Sequence, residues 1–328
     1  MEDAGRVRVA GCPAMNSTYD AVLLIAFGGP ASSEEIRPFL TRVTKGIPIP
    51  PKRLEEVAHH YEAVGGKSPL NEITFRQANV LSQLLNEQGV ALPVYVGMRN
   101  SKPFFVEALK RMADDGIKRA LGFILSSHRT EASWERYQKN IADARNELGP
   151  NAPVIDYCGG WHDHPLFIRC WTELVQAARI KIPIDRKELT PLIFSAHSLP
   201  VAMAARSPYV EQVDTSARLV ADKLQHRRWS IAYQSRSGKP TDRWLEPDIG
   251  DSIRKLAREG SQSVIVAPIG FVCDHVEVLY DLDIEAKQNA NDLDVNLIRA
   301  SCPNDHPTFI RMMAEVIEEK MKRTEDRG

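Results

Sequence analysis

Residues 264–285 read Val264-Ile265-Val266-Ala267-Pro268-Ile269-Gly270-Phe271-Val272-Cys273-Asp274-His275-Val276-Glu277-Val278-Leu279-Tyr280-Asp281-Leu282-Asp283-Ile284-Glu285. The first four are apolar and β-branched, as in a buried parallel strand, and a Pro/Gly loop then leads into a helical pattern. A four-residue step on an α-helix turns the side chain only about 40° further round, so Glu277, Asp281 and Glu285 share one face as an acidic ladder. Such a face suits a cation. The same residues admit a plainer reading, in which Asp274 and Glu277 form a capping box and the remaining acids are solvated.

Outward from this stretch the same unit recurs. Strand-like runs fall near residues 21–27, 94–97, 120–125 and 154–157, and again near 192–195, 230–233, 264–267 and 296–298. Amphipathic helical spacing separates them at 54–64, 78–86, 105–112 and 210–224. Strands alternating with helices predict parallel sheets with crossover helices, here two Rossmann-like α/β domains of about four strands each, at 19–160 and 161–306. The Gly159-Gly160 to Pro165 segment carries the turn residues of the boundary. Residues 1–18 lack apolar periodicity and read as a flexible tail, with Met15 as an alternative start.

A second strand, Leu192-Ile193-Phe194-Ser195, runs into Ala196-His197-Ser198-Leu199-Pro200. Ligands of open α/β sheets bind at the carboxyl ends of strands, where both His197 and Glu277 fall. An imidazole that accepts a proton, facing carboxylates that hold a metal, outlines a mechanism. Taken alone, His197 reads more readily as a hydrogen-bonded loop histidine, and His275 is either a donor orienting a carboxylate or a core residue.

Bulk properties remove several classes. The 328 residues carry a net charge of −1 with 43% hydrophobic residues, ample for packed cores and without the basic excess that nucleic-acid binding needs. No apolar run approaches the ~20 residues of a membrane span, and no signal peptide is recognisable, so a soluble cytoplasmic protein is expected. Cys12, Cys158, Cys170, Cys273 and Cys302 form no C-x-x-C pair, consistent with reduced thiols. Gly28-Gly29-Pro30 follows a strand but matches neither phosphate-loop pattern. His162 and His164 form an H-x-H pair in a turn, where a surface role outweighs metal binding. Trp134, Trp161 and Trp244 read as packing residues.

Five segments together, Phe27-Gly28-Gly29-Pro30, residues 61–70 (YEAVGGKSPL), 195–200 (SAHSLP), 233–247 (YQSRSGKPTDRWLEP) and 274–285, resemble the ferrochelatase family in its own order along nearly the whole chain. The resemblance implies insertion of Fe²⁺ into a porphyrin held between the two domains, with the helix at about 307–324 packing back on the first. It implies His197 and Glu277 as catalytic and metal-contacting residues, and Asp281 and Glu285 as the accessory ladder. His60, Tyr61, Ser68 and Tyr137 fall on positions that contact propionates, and Thr44 and Lys45 stand where relatives often carry arginines. Arg99 and Asn100 are further pocket candidates. Phe27 stands where some coproporphyrin-using relatives have a tyrosine, so no phenol ligand comes from that position. The residues between Ser237 and Trp244 resemble the coproporphyrin III branch, with protoporphyrin IX as the alternative. Iron is then a substrate, with no permanent cofactor and no iron–sulfur cluster, no nucleic-acid partner, no integral membrane association, and a monomeric state. Rival readings are a cobalt or nickel chelatase and a non-catalytic tetrapyrrole-binding protein.

Overall fold

The computed structural model describes residues 6–7, 18–46, 49–237 and 242–325. Nine strands among them form two sheets: β1 (Arg6–Val7), β2 (Ala21–Ala26), β3 (Val94–Met98), β4 (Arg119–Ile124) and β5 (Val154–Tyr157) in the first, and β6 (Leu192–His197), β7 (Trp229–Gln234), β8 (Ser263–Ala267) and β9 (Asn296–Arg299) in the second. The orders are β1-β3-β2-β4-β5 and β7-β6-β8-β9, and every pairing except β1–β3 is parallel. Leaving β1 aside, each sheet places its strands in the chain order second, first, third, fourth. The two halves therefore repeat one topology, with the reversal of winding, and hence a ligand crevice, between the first and third strands. All eight strands expected from the sequence are present.

The pattern is a consequence of burial. β2 and β3 are buried at every residue, which requires a helical layer on both faces. Helices Leu70–Glu87, Phe105–Asp114 and Arg136–Leu148 serve the first sheet, and helices Pro165–Arg179, Tyr209–Lys223 and Ile249–Arg258 serve the second. One apolar cluster runs through both halves, from Val22, Val96 and Phe123 to Phe194, Ile265 and Phe309.

Helix Pro307–Glu325 lies between helix Leu70–Glu87 of the first half and helix Pro165–Arg179. Phe309, Ile310, Met312, Met313, Ala314, Val316 and Ile317 are buried on a wide face, and Pro307, Arg311, Glu315 and Glu319 leave one exposed stripe. Thr308 Oγ1 donates to Glu173 Oε2 at 2.6 Å, and Tyr19 Oη lies 3.1 Å from Thr324 Oγ1.

Of the segment read as a tail, Arg6 and Val7 pair with Tyr95 and Val94 as an antiparallel strand. Backbone pairing to the open edge of β3 supplies what apolar periodicity could not signal. Met15 and Cys12 lie outside the described residues, as do residues 238–241 of the segment compared with the coproporphyrin branch. No helix among the described residues is long and apolar enough to cross a membrane.

Candidate active site

His197 ends β6, and its main chain is held before its side chain is. Its carbonyl accepts a hydrogen bond from Tyr209 Oη at 2.9 Å, and its Nδ1 lies 2.5 Å from the Ser198 carbonyl oxygen, an acceptor that leaves Nε2 turned toward Glu277, which lines the cleft where His197 itself does not. The loop after β8 comes down beside it because residue 270 is glycine. A Cβ there would sit 2.7 Å from Ala196 Cα, and Gly270 N–H bonds the Ser195 carbonyl at 3.0 Å. This close approach delivers the next helix, Val276–Leu279, to the carboxyl end of β6.

Glu277 therefore faces His197, with Oε1 3.4 Å from Nε2. Its other oxygen lies 3.3 Å from His275 Nε2, and His275 Nδ1 is 3.2 Å from the Cys273 carbonyl. His275 is thus the orienting neighbour of the carboxylate. Beneath them runs a buried chain that sequence reading did not single out. Ser195 Oγ donates to Gln234 Oε1 at 2.8 Å, and Gln234 Nε2 donates to the Glu277 carbonyl at 2.7 Å, tying β6, β7 and the Glu277 helix together. The signal for Gln234 and Ser235 was present, since both follow the carboxyl-end rule that selected His197.

The charges are coupled. Burial by itself would depress His197, but the Glu277 carboxylate overrides it and raises the imidazole to about 9. Burial likewise opposes ionisation of Glu277, yet His197 and His275 hold its pKa far below the usual carboxylate range. The resting pair is imidazolium and carboxylate. Asp281 goes the other way: burial, with Glu277 and Glu285 nearby, lifts it to about 7 against the hydrogen bond it accepts from Ser235 Oγ. Ser235 makes that bond from a left-handed backbone, φ 62°, a strained position of the kind held at functional sites.

The ladder departs from a regular α-helix. Residues Asp281–Ala286 form a π-turn, with Glu285 N–H bonding the Tyr280 carbonyl at 2.9 Å in an i→i+5 bond. The capping box is not made either. Asp274 is engaged by Arg299 and Asn304 instead, and the residue at the cap is His275, without a side-chain cap.

A cleft of about 170 Å³ opens beside this group, lined by Phe27, Phe39, Arg53, His60, Tyr61 and Glu277 among others. Thr44, Ser235, Ser237 and Asp281 add polar walls. Ser68 and Tyr137 do not line it: Ser68 Oγ accepts from Leu70 N–H at 3.3 Å, and Tyr137 packs edge-on to Phe105 in the core of the first half. Tyr61 is buried edge-on to Phe39, and His60 stacks on Tyr280. Arg53, at the wall, was missed because the amphipathic spacing was read from residue 54, one position after it, whereas the helix runs over Pro51–Ala63. Lys45 is exposed and not on the lining, and Arg99 is half-buried near Tyr137.

The other metal-like pattern dissolves. His164 Nδ1 accepts from Leu166 N–H at 3.2 Å and caps helix Pro165–Arg179, while His162 lies 20% exposed near Asp163. Cys158, Cys170 and Cys273 are buried thiols pushed up to about 12 by burial. Among the described residues no group of three or more His, Cys, Asp or Glu side chains is arranged to hold a metal ion.

The sequence model of the family described as "Ferrochelatase" matches residues 19–321. A protein of Mycolicibacterium smegmatis named coproporphyrin III ferrochelatase is 40% identical over 307 residues, covering 93% of this chain and 90% of its own length. One of the same name from Mycobacterium avium is 44% identical over 304 residues, with 92% and 88% covered. Among solved structures, the protein titled SirB from Bacillus subtilis with Fe3+ superposes with a TM-score of 0.58 at 10% identity, over 93% of this chain and 97% of that one, which shows a shared fold.

Proposed function

The chain belongs to the ferrochelatase family, and from that premise we propose that it inserts Fe²⁺ into coproporphyrin III, giving Fe-coproporphyrin III and two protons, as a step of haem biosynthesis. The observation that carries the reading is the facing of His197 and Glu277 at 3.4 Å, at the inner end of a carboxylate row that leads out past Asp281. Mere binding of a tetrapyrrole requires no such pair.

Insertion requires that two pyrrole protons leave as iron arrives. His197 is the group aimed to take one, through Nε2, but in the resting pair that nitrogen carries its own proton. Approach of a divalent cation along the carboxylates repels that proton, lowers the imidazole pKa and frees Nε2 to act as the base. Glu277 keeps the charge that holds iron at the ring, and Asp281, titrating near neutrality, passes protons outward. Carboxylate and imidazole donors hold Fe²⁺ without the tightness of thiolates, so the ion can be released to the ring. The ring nitrogens complete the coordination that protein donors alone leave open.

Coproporphyrin III carries four propionates where protoporphyrin IX carries two. The names of both relatives support the former, and so do polar groups on more than one wall: Arg53 and Thr44 from one half, Ser235 and Ser237 from the other. Each buried donor left without a propionate costs roughly 1–3 kcal/mol.

The reading takes the enzyme as a cytoplasmic monomer without an iron–sulfur cluster. Its support is that both walls of the cleft come from one chain, and that the five cysteines form no C-x-x-C pair and none follows Cys302. Anaerobic incubation with Fe²⁺ and each porphyrin, followed by absorbance, tests both reaction and substrate. Metallation of coproporphyrin III at the higher kcat/KM is expected, and preference for protoporphyrin IX would overturn the substrate assignment.

A further inference from the structure

Arg299, at the end of β9, is 14% exposed and grips two carboxylates at once. Its Nε and Nη2 donate to the two oxygens of Asp283 at 2.7 and 2.8 Å, and its Nη1 donates to Asp274 Oδ1 at 2.9 Å. Asn304 closes the arrangement: its Nδ2 donates to Asp274 Oδ2 at 2.8 Å, and its Oδ1 accepts from Asp274 N–H at 2.8 Å. None of Arg299, Asp274, Asp283 or Asn304 lines the cleft. Yet Asp274 lies three residues before Glu277, and Asp283 lies between Asp281 and Glu285. One guanidinium therefore anchors the segment on both sides of Glu277 and Asp281.

The grip matters because of winding. Regular α-helix from Glu277 to Glu285 would rotate the last carboxylate about 80° away from the first. The i→i+5 bond from Glu285 N–H to the Tyr280 carbonyl makes a wider turn with less rotation per residue, and this draws Glu285 back toward the line of Glu277. The π-helix is rare and occurs mostly as single turns inside α-helices, frequently at functional sites. Asp283 sits inside that turn, and a planar fork on both its oxygens fixes the orientation of the residue in a way that a point-charge ammonium does not.

We infer that Arg299 is a positioning residue for iron delivery: by holding Asp274 and Asp283 together it sets the π register that keeps Asp281 and Glu285 in line with Glu277. The inference deepens the proposed function and rests on it, since iron is taken to travel along that row. Arg299→Lys in the full-length enzyme is the test, with anaerobic kinetics at saturating porphyrin. The apparent KM for Fe²⁺ rises at least about tenfold, while kcat and the porphyrin Kd from fluorescence stay within about threefold. Asp283→Asn, which keeps the side-chain shape and loosens the fork, gives the same split to a smaller degree and serves if Arg299→Lys fails to fold. Arg119→Lys, which weakens the remote Arg119–Asp156 bridge, is the control for a purely structural loss: it lowers Tm without moving the iron KM. An iron KM unchanged in both Arg299→Lys and Asp283→Asn, beside an active wild type, overturns the positioning role alone. A wild type inactive with both porphyrins overturns the functional reading, and the inference with it.

Discussion

His60 lies flat against Tyr280, with ring centroids 3.7 Å apart and planes 9° from parallel. The contact joins helix Pro51–Ala63 of the first half to the residue that follows the Glu277 helix in the second, and Phe39, Tyr61 and Val276 pack around it. His60 is depressed below its ordinary pKa, by burial and then by Arg53, so near neutrality it is an uncharged aromatic plate. It clasps the wall of the cleft to the segment that carries Glu277.

A stacked pair of this kind is worth ~0.5–1.5 kcal/mol beyond its buried area. His60→Ala is expected to raise the porphyrin KM by roughly twofold to tenfold, and His60→Phe, which keeps the plate, to restore it. Steady-state titration with porphyrin separates the two. If His60→Phe is as poor as His60→Ala, the ring nitrogen binds a propionate and the clasp is secondary.

His197→Ala should lower the metallation rate by roughly 10²–10⁴ while leaving porphyrin affinity, since ring binding rests on other groups. The raised pKa of the imidazole has its own check. In Glu277→Gln the attraction that outweighs burial is gone, and the His197 pKa, about 9 in the native protein, should fall by more than one unit. Imidazole NMR of the ligand-free protein across pH 5–10 reads it directly. An unmoved value would mean that Glu277 is not the partner that sets the charge.

Asp281 titrates near 7, so in the free enzyme it loses its negative charge as pH falls below neutrality. The apparent KM for Fe²⁺ should then climb on the acid side by up to about tenfold per pH unit. Asp281→Asn should flatten that limb, at the cost of a higher KM throughout. A limb that survives unchanged in Asp281→Asn assigns the titration elsewhere.

Stability carries a separate signature from His128. This side chain is 2% exposed between Ser127 and Ser216, with burial pushing its pKa down to about 3. The unfolded chain, with a pKa of about 6.5, binds the proton first as pH falls. The contribution is therefore fully present above about 6.5 and is lost progressively toward 3, at up to about 1.4 kcal/mol per pH unit. Urea unfolding of His128→Gln between pH 4 and 7 should show a shallower pH slope than the native protein. Parallel slopes would show that the histidine takes up its proton without unfolding.

Much of this was legible in the sequence because it is local. The eight parallel strands announce themselves by runs of apolar, β-branched residues, and the rule that ligands sit at carboxyl ends selected His197 and Glu277 from two such runs. Gly270 was visible too, as a glycine between strand and helix. His60, Tyr61, Ser68 and Tyr137 share no local pattern of this kind. They were placed by resemblance alone, and Ser68 and Tyr137 lie off the lining of the cleft in the folded chain.

By itself, then, the sequence determined the doubly repeated α/β fold, the strand ends where chemistry gathers and the acidic character of the last of those ends. The tertiary structure decided that His197 meets Glu277 as an ion pair, that Asp281 titrates near neutrality, and that the ladder winds as a π-turn under the hold of Arg299. The division has one physical cause. Periodicity and turn chemistry act over a few residues and leave their mark in order along the chain, whereas burial, charge coupling and helix register are set by groups brought together from distant elements.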